Sequence, residues 1–470
     1  MKKKDFFKKA VIVSFVVLSF LFFSWGGAFH LEEVLAKEII VKIGATFDLT
    51  GPLGVQGRKM ATTLNWFQEY VNEEKGGLKD VEGNTVKLKY LLGDTNFKPA
   101  QTLSLYKKYK SEGVVAVSQV GSVELAAVRS IALRDKMPLP TNSGSLVYPL
   151  PSPCTGHWPD FGTCSASAID YVKEKWEKSN APWTKKRGPR LAFIGPEGYP
   201  SWAASITPEV MRYARLQGVE VVGKIFIPMR VIDSKPQVMS AKKAGADFIY
   251  TGIVVSQGGA VARDLYELGF RGDPTKEKGK IEIIGMFPMS PIQMIKLAGR
   301  QEAIEGMRII GSHTYIWEDQ PSLRIIRRYA EKYNETNLLD LNYVAKWYDC
   351  MRTEEAIRLA LLKVSGDKLK RKHVWDAFLR IKDFDTGGIF QNKVTLTEEE
   401  RIGMEKVRVD EAYGKDGKKR LVTYTDFKML APMYTEAYAK AHGKKSIYSR
   451  ASLEILQLKE EEVGFQRIKE

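Results

Sequence analysis

From Ile39 onward the chain alternates short β-branched runs with segments of helical periodicity, and few architectures accept that rhythm. Ile39-Ile40-Val41-Lys42-Ile43-Gly44-Ala45 reads as a buried strand. A turn, Asp48-Leu49-Thr50-Gly51-Pro52, leads to a helix over Gly57 to Asn72, where Met60, Leu64, Phe67 and Val71 recur at helical spacing. Strands at Val86 to Leu92 and Val114 to Val117 each precede a helix, Pro99 to Ser111 and Leu125 to Lys136. The rhythm resumes with helices over Ser165 to Lys178, Ala203 to Gln217, Lys235 to Ala244 and Ala260 to Leu268. Between them lie strands at Arg190 to Ile194, Val219 to Ile227, Phe248 to Gly252 and Ile281 to Gly285. Strands joined through helices pair in parallel, with helices covering both faces of the sheet.

At 470 residues the chain is too long for one compact core. Similar units stand on either side of Cys164, which suggests two like lobes in tandem. No Pro/Ser/Gly-rich linker separates them, so direct strand crossovers are expected to join them. The last part differs: helices over Glu354 to Lys363 and Lys372 to Ile381, a hairpin-like piece from Gln391 to Leu396, and a charged tail over 444–470.

The N-terminus reads as an export signal. Lys2, Lys3, Lys4, Lys8 and Lys9 precede an uncharged apolar run from Ala10 to Phe23, and Val34-Leu35-Ala36 offers a cleavage site after Ala36. The apolar run is short of the ~20 residues a spanning helix needs, which favours a cleaved signal over residues 1–36 and no stable anchor afterwards. No Cys lies near it for lipid attachment. An unanchored exported protein is retained in an enclosed compartment, which points to the periplasm.

The formal charge is +16, but Lys and Arg are spread along the chain and form no dense patch interleaved with aromatics. Nucleic-acid binding therefore lacks the footprint that counterion release needs. Of the three cysteines, Cys154 and Cys164 flank a short loop and, in an oxidising compartment, are expected to form a disulfide. Closing so short a loop would contribute roughly 2–3 kcal/mol. Cys350 sits in a helical pattern and reads as a buried small hydrophobe. No zinc spacing, HExxH pair, Gly-x-Ser-x-Gly elbow or GxxxxGKS loop occurs, so neither metal, cofactor nor catalysis is expected.

Several segments carry a family resemblance. Val41-Lys42-Ile43-Gly44 followed by Leu49-Thr50-Gly51-Pro52-Leu53-Gly54 resembles the opening of type I periplasmic binding proteins, within them the branched-chain amino acid binding family that serves ABC importers. Gly93-Asp94-Thr95, Gly113 to Val117, Met137-Pro138-Leu139-Pro140 with Ser143-Gly144-Ser145, Gly198-Tyr199 and Ala246 to Tyr250 match in order. The similarity spans roughly residues 39 to 430. It implies an α/β fold of two Rossmann-like lobes with parallel sheets, joined by three crossovers and closing over a ligand. Lobe one would take 37–163 and 312–395, and lobe two 164–311 and 396–443. It implies a small-molecule ligand and an inner-membrane ABC permease as partners. A sensor of the same fold, signalling to a separate membrane receptor, is the alternative.

Ligands of open parallel sheets bind beyond the carboxyl ends of the strands. Two loops there, Gln119 to Glu124 and Thr141 to Ser145, are small and hydroxyl-rich, and each precedes a helix start, where N–H groups and hydroxyls can hold a carboxylate. The resemblance assigns that task to Ser122, Ser143, Gly144 and Ser145; plain helix capping is the competing reading. The second lobe would add Tyr199, Trp202, Thr251, Gly252 and Phe287, with Trp202 able either to cover an apolar ligand body or to pack in the core. Amino-acid binders of the family place an acidic residue near Gly285-Met286-Phe287 to pair the ligand's ammonium; here Phe287 stands there. A buried ammonium without a counter-charge is costly, so an aromatic or aliphatic acid fits these residues better than an α-amino acid. Glu124 could supply the missing charge from the other lobe.

Overall fold

The computed structural model describes residues 37–119, 121–142, 152–229, 231–251, 255–286, 291–335, 341–398, 400–404, 406–412 and 419–426. The expected signal segment and the 444–470 tail lie outside the described residues. In chain order the strands are β1 (Glu38–Phe47), β2 (Leu78–Lys79), β3 (Thr85–Asp94), β4 (Val117–Gln119), β5 (Leu139–Thr141) and β6 (Cys154–Gly156). After them come β7 (Arg190–Pro196), β8 (Glu220–Ile227), β9 (Phe248–Thr251), β10 (Glu282–Met286), β11 (Arg308–Gly311), β12 (Lys406–Ala412) and β13 (Lys419–Asp426). The helices are α1 (Gly54–Glu69), α2 (Pro99–Ser111), α3 (Ser122–Asp135), α4 (Phe161–Glu177), α5 (Pro200–Ala203), α6 (Pro208–Leu216), α7 (Lys235–Lys243), α8 (Val255–Glu267), α9 (Pro291–Ala298), α10 (Pro321–Lys332), α11 (Leu341–Leu361) and α12 (Arg371–Phe378).

Among the described residues the strands make two sheets, ordered β2-β3-β1-β4-β5-β6 and β13-β12-β11-β10-β9-β7-β8. Pairing is parallel throughout except at β2, β12 and β13, which run antiparallel at sheet edges. Each sheet carries its own core. The first gathers Val41, Ile43, Phe47, Leu88 and Val117 with Leu323, Ile326, Trp347, Ile357 and Phe378, so α10, α11 and α12 cover the first sheet although they follow the second sheet's parallel strands in sequence. The second sheet is packed on one face against Ile169, Trp176 and Trp202 and on the other against Val238, Val261 and Leu265. Among the described residues no helix is long and apolar enough to cross a membrane.

Two local expectations are corrected. The helix expected over Ala203 to Gln217 is broken, because Pro208 bars an αR conformation at Thr207, whose φ of −66° and ψ of 161° are extended. Thr207 Oγ1 instead accepts from Val210 N–H and starts α6. The cysteines do not form the expected disulfide: Cys154 and Cys164 are free, buried thiols. The chain between them is a crossover, so Cys154 packs in the first sheet's core and Cys164, on α4, in the second's. Cys350 is buried in the first core.

The chain passes between the sheets at 157–160, again between Gly311 and Pro321, and a last time between Met404 and β12. A buried ionic cluster on α11 ties these passages together. Asp349 accepts from Lys346 Nζ at 2.8 Å, from Ser118 Oγ at 2.9 Å and from Arg352 Nη2 at 2.6 Å. Arg352 also donates to the carbonyls of Thr155 and Gly156, at the mouth of the first passage, and His157 Nδ1 stands 3.5 Å from Asp349. Gly156 N–H donates to Arg401 O, near the third passage, and the Trp158 ring meets His313 of the second with centroids 4.2 Å apart. Burial alone would oppose ionisation of Asp349, but the Lys346 ammonium, His157 and the Arg352 guanidinium hold its carboxyl well below the usual range.

Two outcomes follow from this cluster. Asp349→Asn leaves Lys346 and Arg352 buried without a counter-charge, and chemical denaturation should show a loss of about 3–5 kcal/mol. His157 is buried and uncharged, its pKa pushed down to about 4 by burial, and burial lowers His313 as well. At these two histidines the unfolded chain binds more protons below pH ~6.5, so their contribution is full above that pH and is lost as pH drops toward 4, whereas Asp160 and Asp410, raised by burial to about 6, contribute in the opposite sense; the denaturation midpoint of His157→Gln should therefore fall less across this window than that of the wild type.

Candidate functional site

The carboxyl ends of β4 and β7 bring two segments of the opposing lobes together. After β4, Gly121 adopts an extended conformation and α3 begins at Ser122, whose first-turn N–H groups have no intrahelical partner. Ser122 is buried, and its hydroxyl makes no hydrogen bond among the described residues. After β7, Gly198 takes a left-handed turn (φ 67°) that presents Tyr199 just ahead of α5. The Tyr199 phenol lies beside the Ser122 hydroxyl and near Glu124; burial, opposed by Ser122 and reinforced by Glu124, pushes its pKa up to about 12. It thus remains a neutral hydroxyl able to donate at neutral pH.

Glu124 occupies the first turn of α3 and is fully buried. Its Oε1 accepts from Thr95 Oγ1, at the end of β3, at 2.7 Å, while Oε2 has no hydrogen-bond partner among the described residues. Burial raises its carboxyl above the usual range, with the Thr95 bond acting against the shift. The neighbouring strand-end loops are held by their own carboxylates: Asp48 accepts from Gly51 and Leu53 N–H, and Asp94 from Leu49 N–H and Thr50 Oγ1.

Of the other expected site residues, Thr251 ends β9 fully buried with a free hydroxyl. Trp202 has another place: at 1% exposure it stacks on Tyr250, centroids 6.0 Å apart at 13°, within the second lobe's core. Its indole lies where a side chain on Gly195 would point, with a Cβ there falling 2.0 Å from the ring. The large ring in that loop is thus a packing residue. Ser143, Gly144, Ser145, Gly252 and Phe287 lie outside the described residues. The structure therefore joins Ser122, Tyr199 and Glu124 at the seam and adds Thr95, which sequence reasoning passed over; its place in the Gly93-Asp94-Thr95 strand end was the available signal.

Comparison with known proteins fits this arrangement. The family profile described as periplasmic binding protein matches residues 40–417. The chain belongs to the periplasmic binding protein family. Its fold is type I, and proteins of this family are extracytoplasmic solute binders. Similar solved structures include a branched-chain amino acid ABC transporter protein from Thermus thermophilus with bound valine (17% identity, 87% of this chain and 99% of that one, TM-score 0.68). A fatty acid ABC transporter substrate-binding protein from Thermomonospora curvata shares 20% identity over 83% of this chain and 92% of its own, with a TM-score of 0.65. A solute-binding protein from R. palustris in complex with 4-hydroxybenzoate shares 16% over 83% and 98%, with a TM-score of 0.63. No curated protein matches the sequence. At such identities the structures establish the shared fold.

The packing of this periplasmic binding protein's second lobe can be probed at Gly195. Gly195→Ala should displace Trp202 from Tyr250 and destabilise the protein by about 1–3 kcal/mol, read from the denaturation midpoint together with a change in tryptophan fluorescence.

Proposed function

We propose that this protein is the periplasmic solute-binding component of an ABC importer and that it captures a small carboxylate-bearing molecule between its lobes. The observation that carries the reading is the free Ser122 hydroxyl at the start of α3, facing Tyr199 of the opposite lobe. Unpaired N–H groups and the helix dipole favour an anion there, and the two hydroxyls can donate to it. A ligand held by both lobes stabilises the closed form by its differential affinity for it, and that form then docks on a permease.

The chemistry of the fold's relatives supports the class. Valine, fatty acids and 4-hydroxybenzoate differ in size and shape, yet each carries a carboxylate. An apolar or aromatic body on such a carboxylate suits a cleft that needs no cofactor.

Thermal-shift and calorimetric screening of the mature protein against branched-chain amino acids, aromatic acids, fatty acids, and the matching amides tests this. A carboxylate at a hundred times its Kd should stabilise the protein by about 2.7 kcal/mol, and its amide should not. Ser122→Ala should weaken carboxylate binding about tenfold, as expected for one hydrogen bond. Binding of the amides in preference to the acids counts against the reading.

A further inference from the structure

Glu124 is a liability unless something comes to meet it. It is 0% exposed, and one of its oxygens is fixed by Thr95. The other, Oε2, is buried without a hydrogen-bond partner among the described residues. An unmatched buried carboxylate oxygen carries a desolvation cost that a partner would relieve. The side chain is folded over Gly121, so closely that a Cβ on that glycine would lie 1.6 Å from Oε2. Tyr199 of the other lobe stands beside both Ser122 and Glu124, which puts the free oxygen at the seam where the lobes meet. Ser122 and Glu124 thus offer opposite chemistry two residues apart in the first turn of α3: a donor at the helix start and an acceptor next to it.

From this juxtaposition we infer that Glu124 is a specificity-determining residue, and that the captured solute presents an N–H or O–H donor to Oε2 close to its carboxylate end. This rests on the carboxylate reading above and narrows it. The solute class is a carboxylic acid bearing an ammonium or hydroxyl group, and a plain acid of the same shape is disfavoured because it leaves Oε2 buried and unmet. The bare glycine at 121 is what leaves room for the carboxylate. Its φ of −93° and ψ of 150° are open to alanine, so space is the reason no side chain stands there.

Two matched pairs, each differing only by a donor on the carbon next to the carboxylate, test the inference by calorimetry: leucine against 4-methylpentanoate, and mandelate (2-hydroxy-2-phenylacetate) against phenylacetate. The first pair asks for an ammonium and the second for a hydroxyl. The wild-type protein should prefer the donor-bearing member of at least one pair by about a hundredfold, since a site with a buried polar group rejects the analogue that leaves it unpaired. Glu124→Gln keeps the Thr95 bond through its carbonyl and turns an amide N–H toward the seam, and the preference should fall to within about threefold. Gly121→Ala retains Glu124 but displaces Oε2 and should lose the same preference, with circular dichroism confirming the fold; it decides the matter if Glu124→Gln is unfolded. Equal binding within both pairs by the wild type, a preference for the plain acids, or a folded variant that keeps the wild-type preference overturns the inference while leaving the carboxylate reading intact. Failure of all four compounds to bind takes down that reading and the inference with it.

Discussion

The buried carboxylate of Asp349 is the fixed point of this molecule. Two cations, a serine hydroxyl and an imidazole converge on it, and Arg352 extends the cluster to backbone carbonyls at the first passage between the lobes. Ion pairs removed from water give back in mutual attraction much of what their desolvation costs, so such a cluster is weak evidence for stability as such. What it supplies is geometry. Its partners sit on β4, β6 and α11, and the ring contacts of His157 and Trp158 with His313 carry the anchorage to the second passage. Further along that passage Tyr315 donates to Asp410 of β12, and Arg408 of the same strand bonds Glu318. Any lobe rotation must pivot about segments whose ends are held in this way.

Much of the architecture was legible in the sequence, because strand–helix alternation is written by the hydrophobic effect. The run Ile39 to Ala45 and the helix Pro99 to Ser111 are cases where periodicity and observed element agree. The misreadings have physical causes. Helix α11 begins at Leu341, well before the Glu354 to Lys363 segment and the helical pattern around Cys350 that the sequence offers, and its Lys346, Asp349 and Arg352 are buried and neutralise one another. Local periodicity has no means of signalling that charges on a helix will find partners on a distant strand. The two cysteines were close in sequence and so looked paired, whereas a crossover sends them to different cores. Thr207-Pro208, by contrast, was a readable break that helical periodicity on either side obscured.

The site was legible in outline and less so in its chemistry. Strand-end loops pointed to Ser122 and Tyr199, which the fold brings together. Trp202 was ambiguous between core and ligand contact, and the absence of a side chain on Gly195, which makes room for the indole, is visible only in three dimensions. The pairing of Glu124 with Thr95 joins residues from separate strand ends, and no spacing rule links them.

The interleaving of the chain has a consequence for its maturation. The first lobe's core is not complete until Met404 has arrived, and the second sheet still lacks β12 and β13 at that point. Until then β11 presents an open edge, a ready template for intermolecular pairing. A polypeptide emerging from its N-terminus therefore cannot finish either half early: residues up to Met404 complete the first core, and β12 and β13 close the second sheet. Premature termination within that stretch would yield an aggregation-prone fragment and not a smaller working receptor.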